Sequence, residues 1–577
     1  MASRGQRVHV VTTSRRYKGR LYRTHLLRHS YRENGRVKNE TVGNLSHLPE
    51  PVVELIRKAL QGEILAPVTS VFEILSSFPQ GHVQAVLTAM RRLGFAPLVA
   101  SRPCRERDLV VAMVAARILE PYSKLATTRA WHTTTLAADC GVQETGEDDL
   151  YAAMDWLLER QSRIERKLAA RHLDEQSLVL YDLTSSYFEG VTCPLAKLGH
   201  NRDGKEGKLQ VNYGLLTDSR GCPVSVSVYP GNTGDATTVL AQVHKIRDEF
   251  GIRSVVLVGD RGMISQKQID QIRQLEDIDW ITALKTGEIR KLLEKALQMG
   301  LFDERNLFEL TDPVFPGERL MACRNPLLAK RRAHTRQSLI EATAREFEKV
   351  QRMVARGKLK GADEIGLRVG QVANNYSVAK HFELEIRDGS FTFRLLSEKV
   401  AAEAALDGIY VIRTSLGPER LNTDDTVRSY KLLSNVERAF RSLKTVDLKV
   451  RPIFHHLETR VRAHIFLCML AYYVQWHMLE AWRELLFSDE DQQAHLTRDP
   501  VAPAERSPSA LHKAATHTLD DGTEVHSFRT LLKELSTIVR NVCRRKQSPD
   551  NEPTFTMATT ANAKQQRALD LLEAITV

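Results

Sequence analysis

Cysteine is scarce in this 577-residue chain and lies apart: seven residues, at 104, 140, 193, 222, 323, 468 and 543, with no C-x-x-C pair. A dispersed, odd-numbered set excludes a disulfide framework and a finger-type zinc site, and predicts reduced thiols in an intracellular protein. Long apolar runs are missing too. The longest, IFLCMLAYYV at 465–474, is about half of the roughly 20 residues a bilayer crossing needs, so it predicts a buried helix and no membrane partner. MASRGQRVHVVTTSRR at the start carries arginines but no apolar segment or cleavage site of an export signal. Acid is short relative to base: 71 Asp and Glu face 82 Lys and Arg, a formal charge of +11. That excess favours a polyanionic partner, nucleic acid first. At this length one core is excluded, and about three to five domains are expected.

What is present changes character along the chain. Residues 1–50 read as short basic strands, with Asn34-Gly35 as a hairpin turn inside HSYRENGRVKNETVGNL. Arg15, Arg16, Lys18, Arg20, Arg23, Arg28, Arg32, Arg36 and Lys38 make this either an arm for DNA phosphates or a solvated hairpin. From 51 to 172 apolar residues recur at three and four spacing, predicting a helical domain of a size to bind DNA, or a plain bundle.

After 173 the period falls to two. Three strand-like runs are followed by helix, strand, helix and strand, ending near 290. VVLVGD is apolar throughout, the mark of a strand buried on both faces. Residues 291–405 read as an insertion, with a long basic helix striped by Ile340, Ala344, Phe347, Val350 and Val354, then a hairpin turning at Asp388-Gly389. Core strand and helix resume over 406–485. The tail, 486–577, is polar around one expected helix, SFRTLLKELSTIVRNV. The expected class is α/β, a mixed sheet split by a β-rich and helical insertion, with a basic β arm and a helical domain ahead of it.

Two acids stand where strands should reject them: Asp182 inside LVLYDLTSS, and Asp260 at the end of VVLVGD. An ionised carboxylate at the heart of a sheet costs several kcal/mol, on the order expected for a buried ion, unless a cation or donors compensate it. Acids on two such strands could be neighbours in the sheet. A third, Glu437 in SNVERAFRSLK, sits on a helix whose Val436, Phe440 and Leu443 would dock against it. Three carboxylates without imidazole or thiolate suit Mg²⁺ or Mn²⁺, two ions per site, for phosphodiester chemistry. Arg441 and Lys444 share the Glu437 stripe and are expected to reach phosphates. The histidines at 455, 456 and 464 lack paired cysteine at ligand spacing and read as helix-flanking or DNA-facing.

With these residues in place, the chain resembles the DDE transposases of bacterial insertion sequences, in particular the IS-four-like group with a β-rich insertion before the last Glu. YDLTSSYFEG, VGDRGMIS and VERAFRSLK carry the three acids; GHNRDGKEGKLQVNYGLL, YPGNTGD and RPIFHHLETRVRAHIFLCMLAYYV extend the likeness. The family's spaced Tyr, Arg, Glu and Lys are met by Tyr430, Glu437 and Lys444, with Leu433 where the Arg is expected and Arg438 or Arg441 left to substitute. The resemblance implies a ribonuclease-H-like core, catalytic and metal-binding Asp182, Asp260 and Glu437, and DNA contacts by Tyr430, Arg261, Arg438, Arg441 and Lys444. It also implies cut-and-paste transposition on double-stranded DNA, at terminal inverted repeats and a target, by a homodimer in the bacterial cytoplasm near the nucleoid. A nuclease without strand transfer, or a DNA-binding relic of the fold, are the alternatives.

Overall fold

A computed structural model describes residues 8–33, 35–63, 72–298, 302, 305–491, 497–546 and 553–576. Two units can be described separately, Met1–Phe78 with Arg540–Thr559, and Pro79–Val539 with Thr560–Val577.

In the first unit, β1 (Val8–Tyr17), β2 (Arg20–Glu33) and β3 (Arg36–Asn44) form an antiparallel sheet. The strands are long rather than short, with 14 residues in β2. Pairing of Glu33 with Arg36 leaves a two-residue turn; Asn34 lies outside the described residues, and Gly35 has φ +79°, a left-handed conformation that glycine adopts without steric cost. Every basic residue named in the arm is exposed except Arg28, which is half-buried. The helix Glu50–Leu60 adds Arg57, which donates to Thr12 Oγ1 at 2.9 Å. β4 (Phe72–Pro79) belongs to a second small sheet completed by strands from the far end of the chain.

The second unit is built on an eight-stranded mixed sheet. Its strands are β5 (Ser177–Tyr187), β6 (Gln210–Thr217), β7 (Pro223–Pro230), β8 (Val255–Val258), β9 (Ile278–Ala283), β10 (Leu307–Leu310), β11 (Arg319–Arg324) and β14 (Ile409–Thr414), in spatial order β10-β11-β14-β9-β8-β5-β6-β7. β5, β8 and β9 run parallel at the centre; the flanking pairs are antiparallel. All four residues of β8 are buried, as a central parallel strand requires. Helices Val239–His244 and Gln266–Ile272 lie in the connections before and after β8. Ser265 sits at the N-cap of the latter, but its hydroxyl bonds Gln268 and not the helix backbone.

The apolar run at 465–474 lies in the helix Glu458–Ala481, buried at every position from Ala463 to Met478. Helices Arg105–Leu119 and Glu147–Leu158 and strand β7 surround it, so its hydropathy is spent on protein contacts. Among the described residues no helix is long and apolar enough to cross a membrane.

Between β9 and β14 the chain makes two different things. β10 and β11 extend the main sheet at its edge. The helices Pro326–Ala355 and Ala362–Tyr376, with the hairpin β12 (Phe382–Arg387) and β13 (Ser390–Leu395), instead enclose a core of their own around Phe347, Phe382 and Phe391. Near the C-terminus the expected helix over SFRTLLKELSTIVRNV stops at Leu535. Its second half becomes β15 (Val539–Arg545), paired with β16 (Phe555–Ala558) and β4, because Ile538, Val539 and Val542 are β-branched and a sheet is there to receive them. Helices Pro508–Thr516 and Ala563–Glu573 are additional to the one expected in this tail.

Candidate active site

The register of β5 on β8 pairs Leu180 with Val258. Asp182 and Asp260 each lie two residues beyond that pair, so neighbouring parallel strands carry them to the same C-terminal side of the sheet. Asp182 is half-buried, and its Oδ1 accepts the Leu183 N–H at 2.8 Å. Burial foremost raises its carboxyl to about 7; the Leu183 N–H and Arg202 pull the other way, while the charges of Asp260 and Glu437 push it further up. Asp260 is exposed in a tight turn, where its Oδ1 accepts the N–H groups of Gly262 at 3.0 Å and Met263 at 2.8 Å. These bonds tie one oxygen of the carboxylate to the backbone of the turn.

Glu437 is exposed on the helix Leu433–Arg441, which packs against β5. Val436, Ala439 and Phe440 are buried beneath it, Phe440 meeting Tyr213 edge-on at 5.9 Å. Arg438 and Arg441 are exposed, as is Arg261 beside Asp260. Tyr430 is half-buried; its hydroxyl is pushed up to about 12 by burial first, then by Asp260, Glu437 and Asp182, with Arg261 opposing. One phenol thus senses all three acids.

Lys444 departs from the Glu437 stripe. After Arg441 the helix widens into a π turn, Ser442–Val446, which rotates the following residues away from the 3.6-residue register. Its ammonium lies 2.7 Å from Asp203 Oδ1 and donates to Thr184 Oγ1 at 3.0 Å. The expected phosphate ligand is therefore a buried, paired side chain. His464 is buried, its Nε2 donating to the Val450 carbonyl at 3.3 Å, and the His455 ring lies tilted against it at 4.9 Å; burial holds both below the ordinary imidazole range.

The three acids fit a hard cation by chemistry: all oxygen donors, like charges close enough to raise Asp182, and no basic side chain within ion-pair distance of any of them among the described residues. Their oxygens are spread more widely than 4.8 Å. The group of three donors that does close to that spacing, among the described residues, is His172, Cys222 and His477. Burial keeps these three neutral, lowering His172 to about 4 and His477 to about 3 and raising the thiol, while Tyr473 Oη lies 3.1 Å from His172 Nε2. No sequence spacing announces this cluster, because its members come from a helix end, a strand start and a distant helix. Asp203 and Arg451, in the loop and turn that meet Lys444, were likewise not singled out by pattern.

A family model described as the transposase DDE domain matches residues 175–474, more than half of the chain, and spans all three acids. The chain belongs to the DDE transposase family. A second model, the N-terminal domain of the IS1634 family of transposases, matches residues 10–66 of this transposase. No curated protein matches it. Among solved structures, the cryo-EM structure of a piggyBac transposase synaptic complex with hairpin DNA aligns at a TM-score of 0.33 and 8% identity, over 78% of this chain and 77% of that one. The protein is thus a DNA transposase of an insertion sequence, a phosphodiester-processing enzyme of a family that generally uses divalent metal ions.

Proposed function

We propose that Asp182, Asp260 and Glu437 are the catalytic carboxylates of this transposase, on a ribonuclease-H-like core, and that they serve both cleavage at terminal inverted repeats and transfer of the freed end into target DNA. The observation that carries this reading is the adjacency of Asp182 and Asp260 on parallel β5 and β8, with the Glu437 helix packed on β5. Asp182, Asp260 and Glu437 would hold Mg²⁺ or Mn²⁺, two ions per site, which would supply Lewis acidity toward the scissile phosphodiester.

The chain's own residues supply the rest. Asp182 carries a carboxyl poised near neutrality by burial, and Asp260 is aimed by the Gly262 and Met263 amides. Tyr430, Arg261, Arg438 and Arg441 rim the acids and contact the backbone of the bound strand. The arm at 1–50 and the helical region at 51–172 bind DNA, the region at 291–405 grips flanking DNA with its basic helix, and two copies synapse the two ends. The setting is the bacterial cytoplasm, at the nucleoid.

The test uses short duplexes carrying paired element ends, a supercoiled target and Mg²⁺. Joined products are expected. Cleaved ends with no joined product in any divalent metal would reduce the protein to a nuclease.

A further inference from the structure

Lys444, Thr184 and Asp203 come from three segments that the carboxylate reading leaves unlinked. Thr184 is two residues along β5 from Asp182, on the same face of the strand. Lys444 follows Glu437 by two turns of the helix and its π extension. Asp203 sits in the loop between β5 and β6, next to Arg202, whose charge acts on Asp182.

Asp203 is deeply enclosed, with 2% of its side chain exposed against 10% for Lys444. Its Oδ1 faces both Lys444 and Arg451, and its Oδ2 accepts the Tyr187 N–H of β5 at 3.0 Å. Asn201 Oδ1 accepts the Asp203 N–H at 2.9 Å, and Arg202 pairs with both oxygens of Asp235. The loop is seated by backbone approach as well: a Cβ on Gly199 would stand 1.9 Å from the Gly231 carbonyl. A carboxylate and an ammonium this buried are costly if either loses its partner, so the knot holds its three segments at one separation.

We propose that Asp203 is a positioning residue of the transposase. Paired with Lys444 beneath Thr184, it fixes the strand of Asp182 against the helix of Glu437. Lys444 is then an internal cross-link, not a phosphate ligand. The inference rests on the three-carboxylate reading above.

The test compares full-length wild type, Asp203→Asn, Lys444→Met, the double variant and Thr184→Val. The readouts are Mn²⁺ affinity of the DNA-free protein by calorimetry, single-turnover cleavage at saturating DNA ends, and end affinity across a salt series. Each single charge variant is expected to weaken Mn²⁺ binding several-fold and slow cleavage at least tenfold, with end affinity and its salt slope unchanged. The double variant is expected to be no worse than the poorer single, and Thr184→Val to show a smaller change in the same direction. If Asp203→Asn does not fold, Lys444→Met and Thr184→Val decide.

Wild-type Mn²⁺ affinity in the folded charge variants overturns the inference. So does weaker end binding by Lys444→Met with a salt slope reduced by about one, the signature of a lost phosphate contact. Glu437→Gln separates the two levels. Its loss of cleavage beside a normal Asp203→Asn removes the positioning role alone; its retention of cleavage removes the carboxylate reading and the positioning role together.

Discussion

The sheet around Asp182 and the module made by Pro326–Ala355, Ala362–Tyr376 and the β12–β13 hairpin are both well buried, yet they spend their burial differently. The module packs Phe347 against Phe382, Phe391 and Phe393 at 5.4 to 5.7 Å and leaves most of its charges on the outside. The sheet half-buries an acid two residues past a parallel pair, and beside it encloses Asp203 and Lys444 in a charge knot with Arg451. The first arrangement lowers the free energy of folding. The second raises it locally, and such sites persist where they serve chemistry.

Exchanging side chains in the two regions should therefore break different properties. The largest effect is expected for Asp182→Asn and Asp260→Asn, each abolishing cleavage in a gel assay of element ends while the variant still melts cooperatively and still shifts the DNA. A variant that cleaves normally would remove its residue from the site. Next is Phe347→Ala, which removes the ring at the centre of the module; a loss of about 3 to 5 kcal/mol is expected for such a truncation, read as local proteolysis between residues 326 and 395. The cleavage rate per folded molecule should stay within a few-fold of wild type, since β5 and β8 are untouched. Protection of that segment at the wild-type level would show that the module does not depend on its aromatic centre.

Smaller effects sharpen the contrast. Arg438→Ala and Arg441→Ala, both exposed beside Glu437, should each weaken end binding and lower the salt slope by about one. A salt series in which neither slope moves would place the DNA elsewhere. The smallest is Gly389→Ala in the β12–β13 turn, where φ is +71°; the strain should cost about 1 kcal/mol, seen as a lower melting temperature and no change in cleavage.

Which parts were legible in the sequence follows from the same physics. The order of three strands, helix, strand, helix and strand was readable because alternation and apolar runs mark half-buried and fully buried strands. Asp182 and Asp260 stood out because a carboxylate inside or at the end of such a run violates the pattern, and the strands that carry them are neighbours in the sheet. Asp388-Gly389 fixed a hairpin by local turn chemistry alone. Other features depend on partners far along the chain. The β-branched residues of Val539–Arg545 only permit a strand, and β4 and β16 must be there to pair before the segment leaves its helix. Lys444 looked like a member of a helical stripe, because nothing in FRSLKTV signals that the helix widens there. Residues 172, 222 and 477 meet only through tertiary packing, and no motif could have joined them.

The most direct measurement is cleavage and joining of element ends in Mg²⁺ by wild type and Glu437→Gln, with end binding followed in the same samples. The account predicts that wild type cuts and joins while Glu437→Gln binds the ends with unchanged affinity and does neither. Cleavage by Glu437→Gln at the wild-type rate would contradict it, since the third carboxylate would then have no part in the chemistry.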